Sequence, residues 1–350
     1  MTFARRQFLK FAGAAVAMPA VAKSGFAQSP QVTLKFHHFL PPVSNAHSKL
    51  WVPWVNKVQT ESGGRIKIDI FPSMQLGGTP PQLYDQARDG VADLVWTLPG
   101  NTPGRFPSIE VMELPFVAAK RGIPNAKATQ ELFDTGQFRD EFAETKIICA
   151  WSHDHGVIHT GKAITKMEDL KGLKLRSPTR LAGEALKALG ANGIPMPLPQ
   201  LPESLAQRVL DGAVIPWEVV PAVKVQELLK FHTEIAGSPT LYTASFVLAM
   251  NKAKYESLPD DLKKVIDANS GQVVAQMAGQ MWDDQAKAVE EMVRKRGNTV
   301  ASINQEEAAR WKKATEPVIE AWVKAAKDKG IDGEKLLANA RALVAKYEKA

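Results

Sequence analysis

Apolar and polar residues alternate with a period of two in "VTLKFHHF" (32–39) and in "RIKIDIF" (65–71), the pattern of half-buried strands. Between them, "SNAHSKLWVPWVNKVQTESGG" (44–64) changes to helical spacing, with Ser44 placed to cap it and Gly63-Gly64 to stop it. "TPPQLYDQARDG" (79–90) predicts a second helix, and "VADLVWTLP" (91–99) a third strand. Strand, helix, strand, helix, strand is the order of an α/β sheet built with crossovers. Further strands are expected at "KIICAW" (146–151), "GLKLRS" (172–177), "GAVIPWE" (212–218, cut by Pro216) and "LYTASFVLAMN" (241–251). Helices are expected at "RLAGEALKALG" (180–190) and "LPESLAQRVLDG" (201–212).

From Ser257 to Arg296 the chain holds helical spacing with no proline after Pro259. Ser257 is placed to cap this segment, Asp260 and Asp261 suit its positive end, and Arg294 to Arg296 suit its negative end. At 1.5 Å per residue it would run roughly 55 to 60 Å, longer than one small domain is wide. Gly271 and Gly279 are its weak points. Such a helix would tie two lobes together. The rest, 304–330 and 332–350, is helical to the end.

The N-terminus changes the picture of location. Arg5-Arg6 and "QFLK" precede an uncharged run from Phe11 to Ala22, too short to span a bilayer, and the small residues Gly25 and Ala27 follow. Residues 1–27 resemble a signal of the twin-arginine class, which exports folded proteins, so a periplasmic chain starting at Gln28 is expected. The formal charge of the 350 residues is +7, and the leader's four basic residues leave +3 for the rest, interleaved with acids. Nucleic acid is therefore not an expected partner. A lone cysteine, Cys149, sits in an apolar run and can form no internal disulfide. About 320 residues suffice for two lobes.

The candidate chemistry centres on Arg176. "GLKLR" places it at the carboxyl end of a short strand that Ser177-Pro178 closes, where open α/β sheets hold their ligands. A guanidinium there can hold a carboxylate through two parallel hydrogen bonds. Phe39, Trp96 with its neighbour Thr97, Trp217 and Tyr242 fall at or near strand ends, where side chains can reach a cleft. His153, His155 and His159 share strand parity with Asp154 nearby, which raises a zinc-dependent periplasmic enzyme as a rival reading, although Gly156 interrupts the strand. No phosphate-binding glycine loop and no G-x-S-x-G elbow is present.

Five segments, "LYDQARDGVADLVW", "ELPF", "DLKGLKLR", "ESLAQRVLDGAVIP" and "LPDDLKKVI", follow one another in family order, behind an export signal. Together they resemble the solute-binding proteins of tripartite ATP-independent periplasmic (TRAP) transporters. The resemblance implies an α/β, two-lobed periplasmic solute-binding fold with a long helix spanning both lobes. The lobes are expected at 28–153 plus about 242–281, and at 154–241 plus about 282–350. It also implies a monomeric, non-enzymatic receptor without cofactor or metal, delivering an organic carboxylate to membrane permease subunits. A receptor of an ATP-driven transporter stands as a further alternative. Within the family pattern, Arg176 is the residue that pairs with the solute carboxylate, and Thr179 is placed for an amide- or hydroxyl-type contact. The chain departs from the pattern at Ile215, where many relatives carry asparagine, and at Gly156, where some carry a second arginine. The lining is thereby poorer in polar groups than the family pattern, and Ile215 and Trp217, on the same strand parity, make it more apolar. That balance suggests a solute with an aromatic or branched body. His153 and His155 could donate to it or lie at the hinge, and Glu218 could instead belong to a cation that bridges the solute.

Overall fold

The structure, a computed structural model, describes residues 30–349; the twin-arginine-type leader lies outside the described residues. In chain order the first lobe contributes β1 (Val32–His37), α1 (Val52–Glu61), β2 (Ile66–Phe71), α2 (Leu83–Arg88), β3 (Leu94–Thr97), α3 (Gly122–Asp134) and β4 (Thr145–Ser152). The chain then crosses to β5 (Val157–Thr160), β6 (Lys174–Ser177), α4 (Arg180–Ala188), β7 (Asn192–Pro195), α5 (Leu201–Ala206), β8 (Gly212–Ile215), α6 (Val225–Leu228) and β9 (Phe231–Ile235). It returns for β10 (Ser245–Asn251), α7 (Lys252–Glu256), α8 (Asp260–Ala268) and α9 (Gln272–Lys295). Finally come β11 (Thr299–Ile303), α10 (Gln305–Asp328) and α11 (Gly333–Glu348).

Two sheets result, β2-β1-β3-β10-β4 and β11-β9-β5-β8-β6-β7. Within each lobe the β–α–β units pair parallel, β1 with β2 and β3, and β6 with β7 and β8. The strand that enters from the opposite lobe runs against them: β10 is antiparallel to β3 and β4, and β5 to β8 and β9. A strand arriving across the cleft meets the sheet from its other end, and this reversal follows.

The 44–64 helix opens as a π-helical turn, Ala46–Trp51, before α1 begins, and the Ser44 hydroxyl accepts from the His47 amide at 3.2 Å. The long lobe-spanning helix is the pair α8 and α9, and it is broken at Gly271, whose φ of +59° is open to glycine at little cost. The α9 segment packs on α3 and β4 of the first lobe and on β11 and the 217–219 turn of the second. Gly279, a weak point by propensity, is where the α3 backbone approaches: a Cβ there would come within 2.5 Å of the Ile123 Cα. Asp283 of the same helix accepts from the Gly122 and Ile123 amides and so satisfies the start of α3.

Two boundaries differ from the sequence reading. The α11 helix packs on α3 of the first lobe, with Lys346 and Tyr347 on Glu131 and Asn339 on Gln137, not in the second lobe. Its apolar face is generic, and either lobe could have covered it. The "GAVIPWE" strand stops at Ile215, because Pro216 cannot donate to the ladder and residues Trp217–Val219 turn as a 3-10 helix.

Candidate functional site

A cavity lies between the lobes. Three groups of elements wall it. From the second lobe, β6 ends in Arg176 and Pro178, and β8 ends in Ile215 and runs through Pro216 to Glu218. The first lobe supplies Phe39 after β1, Trp96 on β3 and Phe246 on β10, and α9 adds Trp282. The two crossing segments supply His153 and Tyr242.

Arg176 is only 3 % exposed. Its Nε donates to the Met196 carbonyl at 2.9 Å and its Nη1 to the Val214 carbonyl at 3.3 Å, which fixes the guanidinium as the edge of the wall. Among the described residues no carboxylate pairs with it, and the ionisable neighbour that bears on it is Tyr242. Burial lowers its pKa to about 10, so it stays a cation at any periplasmic pH. A buried unpaired cation is costly unless an anion arrives to meet it. Three further polar groups of the lining, the Tyr242 hydroxyl and the indole N–H groups of Trp96 and Trp282, have no partner among the described residues. All three can donate, and none of them needs an acid from the protein.

The remaining wall is aromatic. Phe39 and Trp96 lie 4.9 Å apart by ring centroids, Trp96 and Phe246 5.4 Å, and Phe246 and Trp282 5.6 Å. His153 closes the set edge-on to Tyr242 at 5.7 Å. Its Nε2 accepts from the Ala244 amide at 2.9 Å and its Nδ1 donates to the Asp154 carbonyl at 2.7 Å. Both nitrogens are thus engaged, and the ring offers the cavity its surface, not a hydrogen bond. Gly156 explains the missing second arginine: a Cβ there would sit 1.6 Å from the Tyr242 ring, which fills the space.

Glu218 is buried in the lining, with Oε1 accepting from the Ala46 amide across the cleft at 2.9 Å. Burial pushes its carboxyl up to about 8. The Asn45 side chain donates to the Glu218 carbonyl at 2.9 Å, so this residue also ties the lobes. Thr179 lies outside the lining. It caps α4 by accepting from the Ala182 amide and stands near Glu113 of the first lobe, itself pushed up to about 8 by burial. Thr97 is buried next to Trp96 but does not line the cavity.

Trp217 is placed elsewhere. The turn that follows Pro216 points it away from the cavity, with Nε1 donating to Glu234 Oε1 at 2.5 Å and the ring against His159 and His232. It is core, fully buried. His155 lies on the same far side: its Nδ1 meets the Lys120 carbonyl and its Nε2 meets Glu234 at 2.8 Å. Burial would lower its pKa, but the bond to Glu234 and the charges of Asp154 and Glu234 raise it. His159 pairs with His232 at 2.6 Å and with the Ile215 carbonyl. The three histidines of equal parity therefore serve three separate hydrogen-bond sets, because the chain bends at 153–156 between β4 and β5. Among the described residues no group of three or more His, Cys, Asp or Glu could hold a metal ion. Cys149 is buried, and burial drives its thiol well above the ordinary range, away from reactivity.

Phe246 and Trp282 escape the sequence reading. Phe246 has the parity of Tyr242, so a signal for it was present; Trp282 lies in a helix whose spacing says inward without saying toward what.

The model of the family described as bacterial extracellular solute-binding protein, family 7, matches residues 36–325. A TRAP solute-binding protein from Rhodoferax ferrireducens, solved in complex with copurified benzoate, is 47 % identical with a TM-score of 0.88, covering 91 % of this chain and 99 % of that one. A marine metagenome TRAP protein specific for aromatic acid ligands, solved with 3-hydroxybenzoate, is 45 % identical over 91 % of this chain and 99 % of its own, TM-score 0.89. A TRAP protein from Bordetella bronchiseptica with bound (R)- and (S)-mandelate is 26 % identical over 90 % of this chain and 99 % of its own, TM-score 0.83.

Proposed function

The chain belongs to the bacterial extracellular solute-binding proteins of family 7, the periplasmic receptors of TRAP transporters, and on that footing we propose that its solute is an aromatic monocarboxylate of the benzoate class. As a member it is a non-catalytic receptor that binds an organic carboxylate and delivers it to a membrane permease. The observation that carries the finer reading is Arg176: one buried cation without an acid partner, set in a wall of Phe39, Trp96, Phe246 and Trp282.

The carboxylate would take the free edge of the guanidinium, with the Tyr242 hydroxyl beside it. Hydrogen bonds to a charged group contribute about 1.5 to 3 kcal/mol, and burying a phenyl-sized body adds a comparable amount. A sugar acid would strand several hydroxyls against these rings, at about 1 to 3 kcal/mol for each one unmet. The benzoate- and hydroxybenzoate-bound relatives, both above 40 % identical, support the same class. The Arg5-Arg6 leader of twin-arginine type supports export of the folded protein to the periplasm, and a monomer is what we propose as its working state.

Titration calorimetry against benzoate, mandelate and glucuronate tests the reading. Benzoate should bind, and Arg176→Ala should weaken it by at least about 30-fold, equivalent to about 2 kcal/mol. Glucuronate binding more tightly than either aryl acid would refute the solute class and leave the receptor role standing.

A further inference from the structure

The cavity has a second polar pole. Arg176 and Glu218 both line it, yet among the described residues no ion pair joins them, and the ionisable neighbour that bears on Arg176 is the neutral Tyr242 hydroxyl. One carboxyl oxygen of Glu218 is committed to the Ala46 amide, and the other has no hydrogen-bond partner among the described residues. The lining of the same cavity includes Phe39, Leu40, Pro216 and Val219, which offer no side-chain polar atom. Burial pushes this carboxyl up to about 8, toward its protonated form. Its second oxygen is not sealed away from the cavity, so it is open to a hydrogen bond with a group bound there, and a protonated carboxyl can both donate and accept.

Resting on the reading of the solute as an aromatic carboxylate, we propose that Glu218 is a specificity-determining residue that hydrogen-bonds a hydroxyl on the ring while Arg176 holds the carboxylate. A plain ring leaves the Glu218 oxygen unmet, whereas a ring hydroxyl satisfies it without introducing a charge. The same carboxyl bonds Ala46 of the facing lobe, so recognition of the hydroxyl and closure of the lobes share one side chain.

The test compares benzoate with the three monohydroxybenzoates by calorimetry on wild type, Glu218→Leu and Glu218→Gln. Wild type should bind its best hydroxybenzoate at least about fivefold more tightly than benzoate, the worth of about one neutral hydrogen bond. Glu218→Leu should bring that ratio within about twofold, and Glu218→Gln should keep part of it. Removing the Ala46 bond weakens both ligands alike, so a purely structural role leaves the ratio unchanged. Glu218→Met, of similar volume, replaces the leucine variant if that one does not fold. An unchanged ratio in the apolar variant, or no preference in wild type, overturns the inference alone. No binding by any benzoate overturns it together with the solute class.

Discussion

Three buried acids show how the surroundings of a residue set its chemistry. Glu113 and Glu218 are held by one backbone amide each and little else that is charged, and burial pushes both up to about 8. Burial would raise Glu234 too, but His155, Lys120 and the Trp217 indole hold it well below the carboxylate range. A linkage prediction follows for Glu113. Its native pKa lies above its unfolded value near 4.5, so the native state retains a proton that the unfolded chain releases between those pH values. Its contribution is complete below about pH 4.5 and is lost as pH rises through 8. The melting temperature of Glu113→Gln should accordingly fall less than that of wild type between pH 5 and 8.5, as followed by circular dichroism. Parallel curves would show that Glu113 is ionised in the native protein. Arg176 was legible in sequence because Pro178 marks where its strand must end. Trp217 was misplaced by the same kind of residue: Pro216 breaks the parity on which its cleft-facing placement rested.

At the scale of elements, the crossing segments shape the cavity as much as the strands do. Residues 153–156 and 242–244 run side by side, with His153 N donating to the Ala244 carbonyl and Gly156 N to the Tyr242 carbonyl. Tyr242 lies across Gly156 because no side chain stands in its way. Gly156→Ala should force the ring off and cost about 1 to 3 kcal/mol in urea unfolding, the usual range for overpacking. Adding Tyr242→Ala should restore much of that stability, a coupling between neighbours that additive effects would exclude. The strand and helix order of the first lobe could be read directly from periodicity. The 231–235 and 299–303 strands could not, being five residues each with little alternation. The lobe to which α11 belongs was also out of reach, since an amphipathic stripe specifies burial and not the partner.

For the whole molecule, contacts cross from one lobe to the other: Asn45 and Ala46 with Glu218, and Glu110 with Arg180 at 2.6 Å. Among these, Arg180 is partly exposed and its ion pair is worth little by itself. This arrangement also buries Arg176 beside an aromatic wall, which costs free energy until a carboxylate neutralises the cation. Solute binding thus supplies the differential free energy that shifts the lobes toward the form a permease can recognise. The most direct measurement is a crystal structure of the protein grown with benzoate. The account predicts both carboxylate oxygens within about 2.7 to 3.2 Å of donors that include the Arg176 guanidinium, with the ring among Phe39, Trp96, Phe246 and Trp282. Benzoate bound in this cavity with its carboxylate turned away from Arg176, or bound only elsewhere, would contradict it.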